Sequence, residues 1–244
     1  MIQPLTNNSG VCLAEVMVAM AAGAVILSTT FQALTLFGSK LTAQQDTISR
    51  HQDQRLGLHV LEEELRLAGT GLPTDSPAIS SLGMQEVQFA ANLDNLTTVL
   101  TEPASALQQE LLVQNGSNWN QGKHIVICSA DHCAEGLLAR DGRRTSLSFT
   151  APLGVAFPAG SEVFVSNRLR YYVSVSSGGK KNLMRQVDGG ANTIIEDITH
   201  FQLDYFNRQG QPTSDAASVS RVRIDLAVGH DRQGVVSEVG LRGR

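Results

Sequence analysis

Four side chains able to bond a metal or one another fall within ten residues: His124, Cys128, His132 and Cys133. Two chemistries suit them. Cys128 and Cys133 are separated only by SADH, close enough for a disulfide, which in the chain-entropy treatment contributes about 2 kcal/mol for so short a loop. The set could also gather around zinc, but its spacing matches no common zinc pattern. If the domain lies in an oxidising compartment, the disulfide Cys128–Cys133 is the expectation, and free thiols are the alternative. The third cysteine, Cys12, lies beside an apolar run and reads as a small hydrophobe.

Little else in the chain suggests catalysis. There is no G-x-S-x-G, no H-E-x-x-H and no G-x-x-x-x-G-K-[ST]. Gly69-Thr70-Gly71 follows a helical pattern rather than a strand, so it is not a dinucleotide loop. The chain reads as non-enzymatic, with no cofactor, no metal and no small-molecule substrate. With 19 basic and 23 acidic residues the formal net charge is −4, which argues against general coating of nucleic acid. Arg140, Arg143, Arg144, Arg168 and Arg170 form the basic patch that could touch phosphates. Ordinary surface charge is the simpler reading of them. Trp119, the one tryptophan, is either a contact residue on a polar loop or a local core plug, and the second is the favoured reading.

The carboxylate with the most unusual surroundings is Glu15. It is the one charged side chain in residues 1–39, and Val16 to Leu27 after it is entirely apolar or glycine. As a helix, Val16–Phe37 would be about 33 Å long, which matches the hydrocarbon core of a bilayer. A buried core helix and a secretory signal cut near Ala21–Ala24 are the alternatives. MIQPLTNNSG, before Val11, lacks the basic start of such a signal, and the apolar run continues past the usual length. A carboxylate at the edge of a span costs free energy unless it is paired. If the chain were cut after Gly10, Val11 would carry a new ammonium and Glu15 would be the fifth residue of the product. Glu15 would then sit at the positive end of its helix dipole and could neutralise the terminal amine of an adjacent subunit.

Gly10, Val11, Leu13, Glu15 and the run Val16–Phe37 resemble the class III signal of type IV pilins and pseudopilins. LEEELRLAG at Leu61–Gly69 is similar to the stretch that PilW-like minor pilins carry at this distance, with Glu64, Leu65, Arg66, Ala68 and Gly69 matching. FQLDYF, VSRVRIDLAV and the closing VGLR also resemble PilW-like minor pilins and J-type pseudopilins. The likeness covers residues 10–69 and 198–242 and is absent from about 73–160. It departs in the leader, which has no Lys or Arg, and in Val11 standing where Phe is commoner. The resemblance implies cleavage and N-methylation at Gly10 and Val11 by the prepilin peptidase, and a role for Glu15 in subunit assembly. It also implies other minor and major pilins as partners, as a priming or tip subunit of a type IV pilus. A J-type pseudopilin of a type II secretion system is the alternative, and a membrane-tethered periplasmic binding or hydrolytic domain a more distant one. The implied location is the inner membrane, single-pass, with a periplasmic C-terminal domain that reaches the cell surface after assembly.

The elements that would position these residues follow from periodicity. After the span, Leu41, Ile48, Leu58, Leu61, Leu65 and Ala68 recur at mostly helical intervals. Gly69 and Pro73 stop the helix. Gly57 stands inside it at a cost of about 1 kcal/mol relative to Ala. From about Val87 the period becomes two. Phe201, Leu203 and Tyr205 share one face, as do Val222, Ile224, Leu226 and Val228, and Asp188-Gly189-Gly190 marks a hairpin. The expected fold is α+β and pilin-like: a long N-terminal helical stem, transmembrane and then amphipathic, packed on an antiparallel β-sheet head. The expected divisions are a leader at 1–10, a transmembrane half at 11–38, an amphipathic half at 39–69 and a β-rich head at 70–244.

Overall fold

A computed structural model describes residues 13–70, 78–229 and 234–241, which leaves the expected leader, Gly10 and Val11 outside the described residues. The chain divides into two units, 1–51 and 52–244. Helix α1 runs over Leu13–Arg66, 54 residues, and is followed by thirteen strands among the described residues. The class is α+β: one long, N-terminally apolar helix and then antiparallel sheet.

In the first unit the helix exposes its apolar side chains all round, among them Met17, Val18, Met20, Ile26, Phe31 and Phe37. Leu13–Thr42 is long and apolar enough to cross a membrane. Its hydroxyls turn back on the helix itself. Ser28 donates to the Val25 carbonyl at 2.9 Å, Thr30 to that of Ile26 at 2.8 Å and Thr35 to that of Gln32 at 2.8 Å. A hydroxyl bonded in this way needs no water, so the helix can lie in an apolar medium.

In the second unit the rest of α1 lies on a seven-stranded sheet. Its strands are β1 (Ile79–Leu82), β2 (Glu86–Ala91), β9 (Asn167–Val175), β10 (Lys181–Val187), β11 (Gly190–Phe206), β12 (Arg221–Val228) and β13 (Val235–Gly240), in that spatial order. Every pairing is antiparallel. Leu58, Leu61 and Leu65 of the helix, with Ala68 in the turn after it, enter one core with Phe89, Tyr171, Leu183, Phe201, Leu203, Val222, Ile224 and Leu226. Burying each of those leucines contributes about 2 kcal/mol. Gly57 makes the approach possible: a Cβ there would stand 2.3 Å from Ile195 Cγ1 and 2.9 Å from the Ile194 carbonyl oxygen. The glycine that helix propensity disfavours is the point where α1 meets β11.

Between β2 and β9 the chain builds a second body. Four strands, β3 (Thr97–Val99), β8 (Glu162–Val165), β5 (His124–Cys128) and β6 (Cys133–Leu137), form one sheet in that order, and β4 (Glu110–Leu112) pairs with β7 (Ser146–Ser148). Antiparallel bridges Leu100↔Val113 and Leu138↔Phe149 join the two pieces. Thr101 N donates to Leu112 O at 3.0 Å and Ala139 N to Ser148 O at 2.8 Å beside those bridges. The ring therefore closes as β3-β8-β5-β6-β7-β4. Closure removes the unpaired edges that short strands would otherwise present. Inside are Leu111, Val113, Trp119, Ile125, Ile127, Leu147, Phe149, Phe157, Val163 and Val165, a core distinct from the first.

Candidate functional site

Glu15 stands in the first turn of α1, exposed, at the start of the apolar span. Local sequence supports the helix around it: no proline interrupts residues 13–42, and Ala and Leu are the commonest residues there. The arrangement puts an acid at the helix end where the dipole favours it, next to a surface that water does not favour.

Cys128 and Cys133 are joined by a disulfide with Cα atoms 4.1 Å apart. They are directly opposed residues of the β5–β6 ladder, so the bond closes the hairpin across its last rung. Each sulfur is bonded to the other, which leaves no thiolate for zinc, and the described residues hold no group of His, Cys, Asp and Glu suited to a metal. His132 is occupied by structure: its ring lies 4.8 Å from that of Phe157, and Nε2 is 3.0 Å from the Ala156 carbonyl. That contact requires the proton on Nε2 and leaves Nδ1 toward the Ser129 hydroxyl at 3.3 Å. His124 begins β5, and burial, followed by the nearby charge of Arg168, holds its pKa below the ordinary histidine value.

Three of the five patch arginines are paired with carboxylates within the molecule. Arg140 reaches Glu110 at 3.1 Å, Arg168 reaches Glu135 at 3.0 Å, and Arg170 grips Glu86 with two hydrogen bonds at 2.9 and 2.8 Å. The hydrogen bonds from Arg170 and Gln88 pull the Glu86 carboxyl below its usual range. Phosphate would have to displace carboxylates that already hold these guanidinium groups.

The polar centre of the helix–sheet interface is Glu64. Arg185, on β10, donates through Nε to both carboxylate oxygens at 3.1 and 2.9 Å, and its Nη2 bonds Oε1. The Tyr171 hydroxyl, on β9, donates to Oε2. Burial, then the Glu64 charge, pushes the Tyr171 pKa well above the ordinary tyrosine value; the hydrogen bond from Arg185 to Glu64 raises that of Arg185. Glu64 is the last of the three glutamates in the LEEELRLAG stretch. Its partners lie 107 and 121 positions away, and no local pattern announces them.

A cavity of about 630 Å³ opens between the β1–β2 turn and the loop after β11, lined by Leu82, Met84, Leu203, Tyr205, Phe206 and Pro212 among others. Two of its polar side chains are already engaged. The Tyr205 hydroxyl donates to the Gly83 carbonyl at 2.8 Å, and Asp204 accepts from Gln202 at 2.9 Å. Burial raises the Tyr205 pKa. Nothing converges there that could act as nucleophile and base together.

Comparison with known proteins adds no kinship: no family model, no curated protein and no solved structure matches the chain.

Proposed function

We propose that this chain is a minor pilin of the PilW-like kind, an assembly subunit that does no chemistry itself. The observation that carries the reading is the helix Leu13–Thr42, apolar on every side, with Glu15 in its first turn. Such a surface needs lipid or other helices around it. Glu15 is the one charged side chain in residues 1–39, and the amine of a subunit newly cut at Gly10–Val11 has the charge to pair with it. In this reading prepilin peptidase removes residues 1–10 and the N-terminus is methylated. The helix is held in the inner membrane with its C-terminal domain in the periplasm, and then joins other minor and major pilins in a filament. The disulfide Cys128–Cys133 suits that oxidising compartment. The carboxylates that hold Arg140, Arg168 and Arg170 support docking over DNA capture through those side chains.

The test is recovery of partner pilins with the full-length protein from membranes, with and without Glu15→Ala. The expected result is loss of those partners from the variant while its membrane level is kept. Equal recovery would remove the role given to Glu15.

A further inference from the structure

The barrel is an insertion into the sheet. The chain leaves the sheet at Ala91 and returns at Asn167, and these two residues are paired neighbours on β2 and β9. The barrel core and the helix–sheet core are separate clusters. Polar contacts link the two bodies at the crossings, and the Asp188 carboxylate takes part in three of them.

Asp188 lies in the β10–β11 turn with φ 50°, followed by Gly189 at φ 96°. Both values belong to the left-handed region of a tight hairpin turn. From there its carboxylate faces the point where the chain crosses between bodies. Oδ1 accepts the Arg168 N–H at 2.8 Å, and Oδ2 accepts Asn167 Nδ2 at 2.9 Å. Asn167 is 1% exposed, and its Oδ1 accepts the Leu93 N–H at 3.0 Å. That one amide therefore ties the outgoing crossing to the returning one and hands both to Asp188. Lys123, at the foot of barrel strand β5, stands 3.0 Å from Asp94 and 3.7 Å from Asp188. A second ion pair, Arg168–Glu135, spans the same junction with side chains 61% and 64% exposed. A pair so exposed contributes little. Asp188 and Lys123 are 17% and 21% exposed, where charge and hydrogen bonds weigh more.

We propose that Asp188 is a latch: its carboxylate fixes the orientation of the barrel on the sheet, and its release lets the barrel swing on the two crossings with both bodies still folded. The reading does not depend on what the N-terminal helix assembles with. It gives the barrel the character of an orientable module.

The test measures distances between spin labels in the full-length chain, in a Cys12→Ser background with the Cys128–Cys133 disulfide intact. One pair, Glu102→Cys and Ser177→Cys, spans barrel and sheet; a second, Glu102→Cys and Asp131→Cys, lies within the barrel. Asp188→Asn keeps a residue that tolerates the left-handed turn and removes the charge. Loss of one charge-assisted network should raise the population away from the docked distance about tenfold across the spanning pair. The pair within the barrel should be unchanged. Lys123→Gln, which removes the cation instead, should move the spanning pair in the same direction and serves if Asp188→Asn does not fold. An unchanged spanning distance in a folded variant overturns the proposal. So does equal broadening within the barrel, because Asp188 would then support folding rather than orientation.

Discussion

Arg185 of β10 closes on Glu64 of α1 across 121 positions of sequence, and Tyr171 of β9 completes the contact. The helix is thereby held to the two central strands by charge-assisted hydrogen bonds at a place where the surrounding packing is apolar. Apolar burial supplies most of the stability of the interface. The triad specifies where along the sheet the helix sits.

Removing one partner leaves the other uncompensated. Arg185→Ala should destabilise the second unit by about 3 kcal/mol, the range for breaking a mostly buried ion pair. Glu64→Leu combined with Arg185→Met should recover much of that loss, since the pair is then replaced rather than orphaned. Urea denaturation of the three variants measures both. A double variant no more stable than Arg185→Ala would contradict the account.

Gly57 is a point of close helix–sheet approach. Gly57→Ala gains about 1 kcal/mol of helix propensity but places a methyl on Ile195 and the Ile194 carbonyl. Overpacking costs typically 1–3 kcal/mol, so a net loss of about 1 kcal/mol is expected. Ile195→Ala in the same chain should relieve the side-chain part of the clash. A Gly57→Ala variant more stable than the parent would show that the approach is not tight.

Much of the sheet was legible because its strands are long and alternate. Phe201, Leu203 and Tyr205 are buried together, as are Val222, Ile224, Leu226 and Val228. The turn at Asp188-Gly189 forms where the dipeptide predicts it, with Val187 paired to Gly190. Trp119 is the core plug its sequence suggested, now inside the barrel. The barrel itself was not legible. Most of its strands have three to five residues, too few for a period to stand out, and its closure depends on the single bridges Leu100↔Val113 and Leu138↔Phe149. The Glu64 triad was hidden for a different reason: long-range partners leave no local trace. Gly57 read as a weakness because propensity counts only the helix and not the strand beneath it.

Reduction of Cys128–Cys133 should weaken the barrel by about 2 kcal/mol. The single Trp119 is in the barrel core, so its fluorescence reports that body alone. Its denaturation midpoint should fall on reduction while the helix–sheet core, followed by the tyrosine signal, holds. A Trp119 transition unmoved by reduction would place the disulfide outside the stability of the barrel.

The pH profile should fall on both sides. Tyr171 and Tyr205 have raised pKa values in the folded chain. Their protonated forms contribute stability that is whole below the unfolded value of about 10 and is lost as pH rises above it. His124 and Glu86 have lowered values. Their contributions are whole above the unfolded values of 6.5 and 4.5 and decline as pH falls below each. Denaturant midpoints taken from pH 3 to 11 should therefore form a plateau between about 6.5 and about 10. A midpoint that rises beyond pH 10 would contradict the burial of the two tyrosine hydroxyls.

The central claim is that the apolar helix belongs to a processed subunit whose fifth residue is Glu15. Intact-mass and N-terminal peptide mass spectrometry of the protein taken from membranes tests it most directly. The account predicts a mature chain beginning with N-methylated Val11. A terminus in the Ala21–Ala24 region, which would discard Glu15, would contradict it.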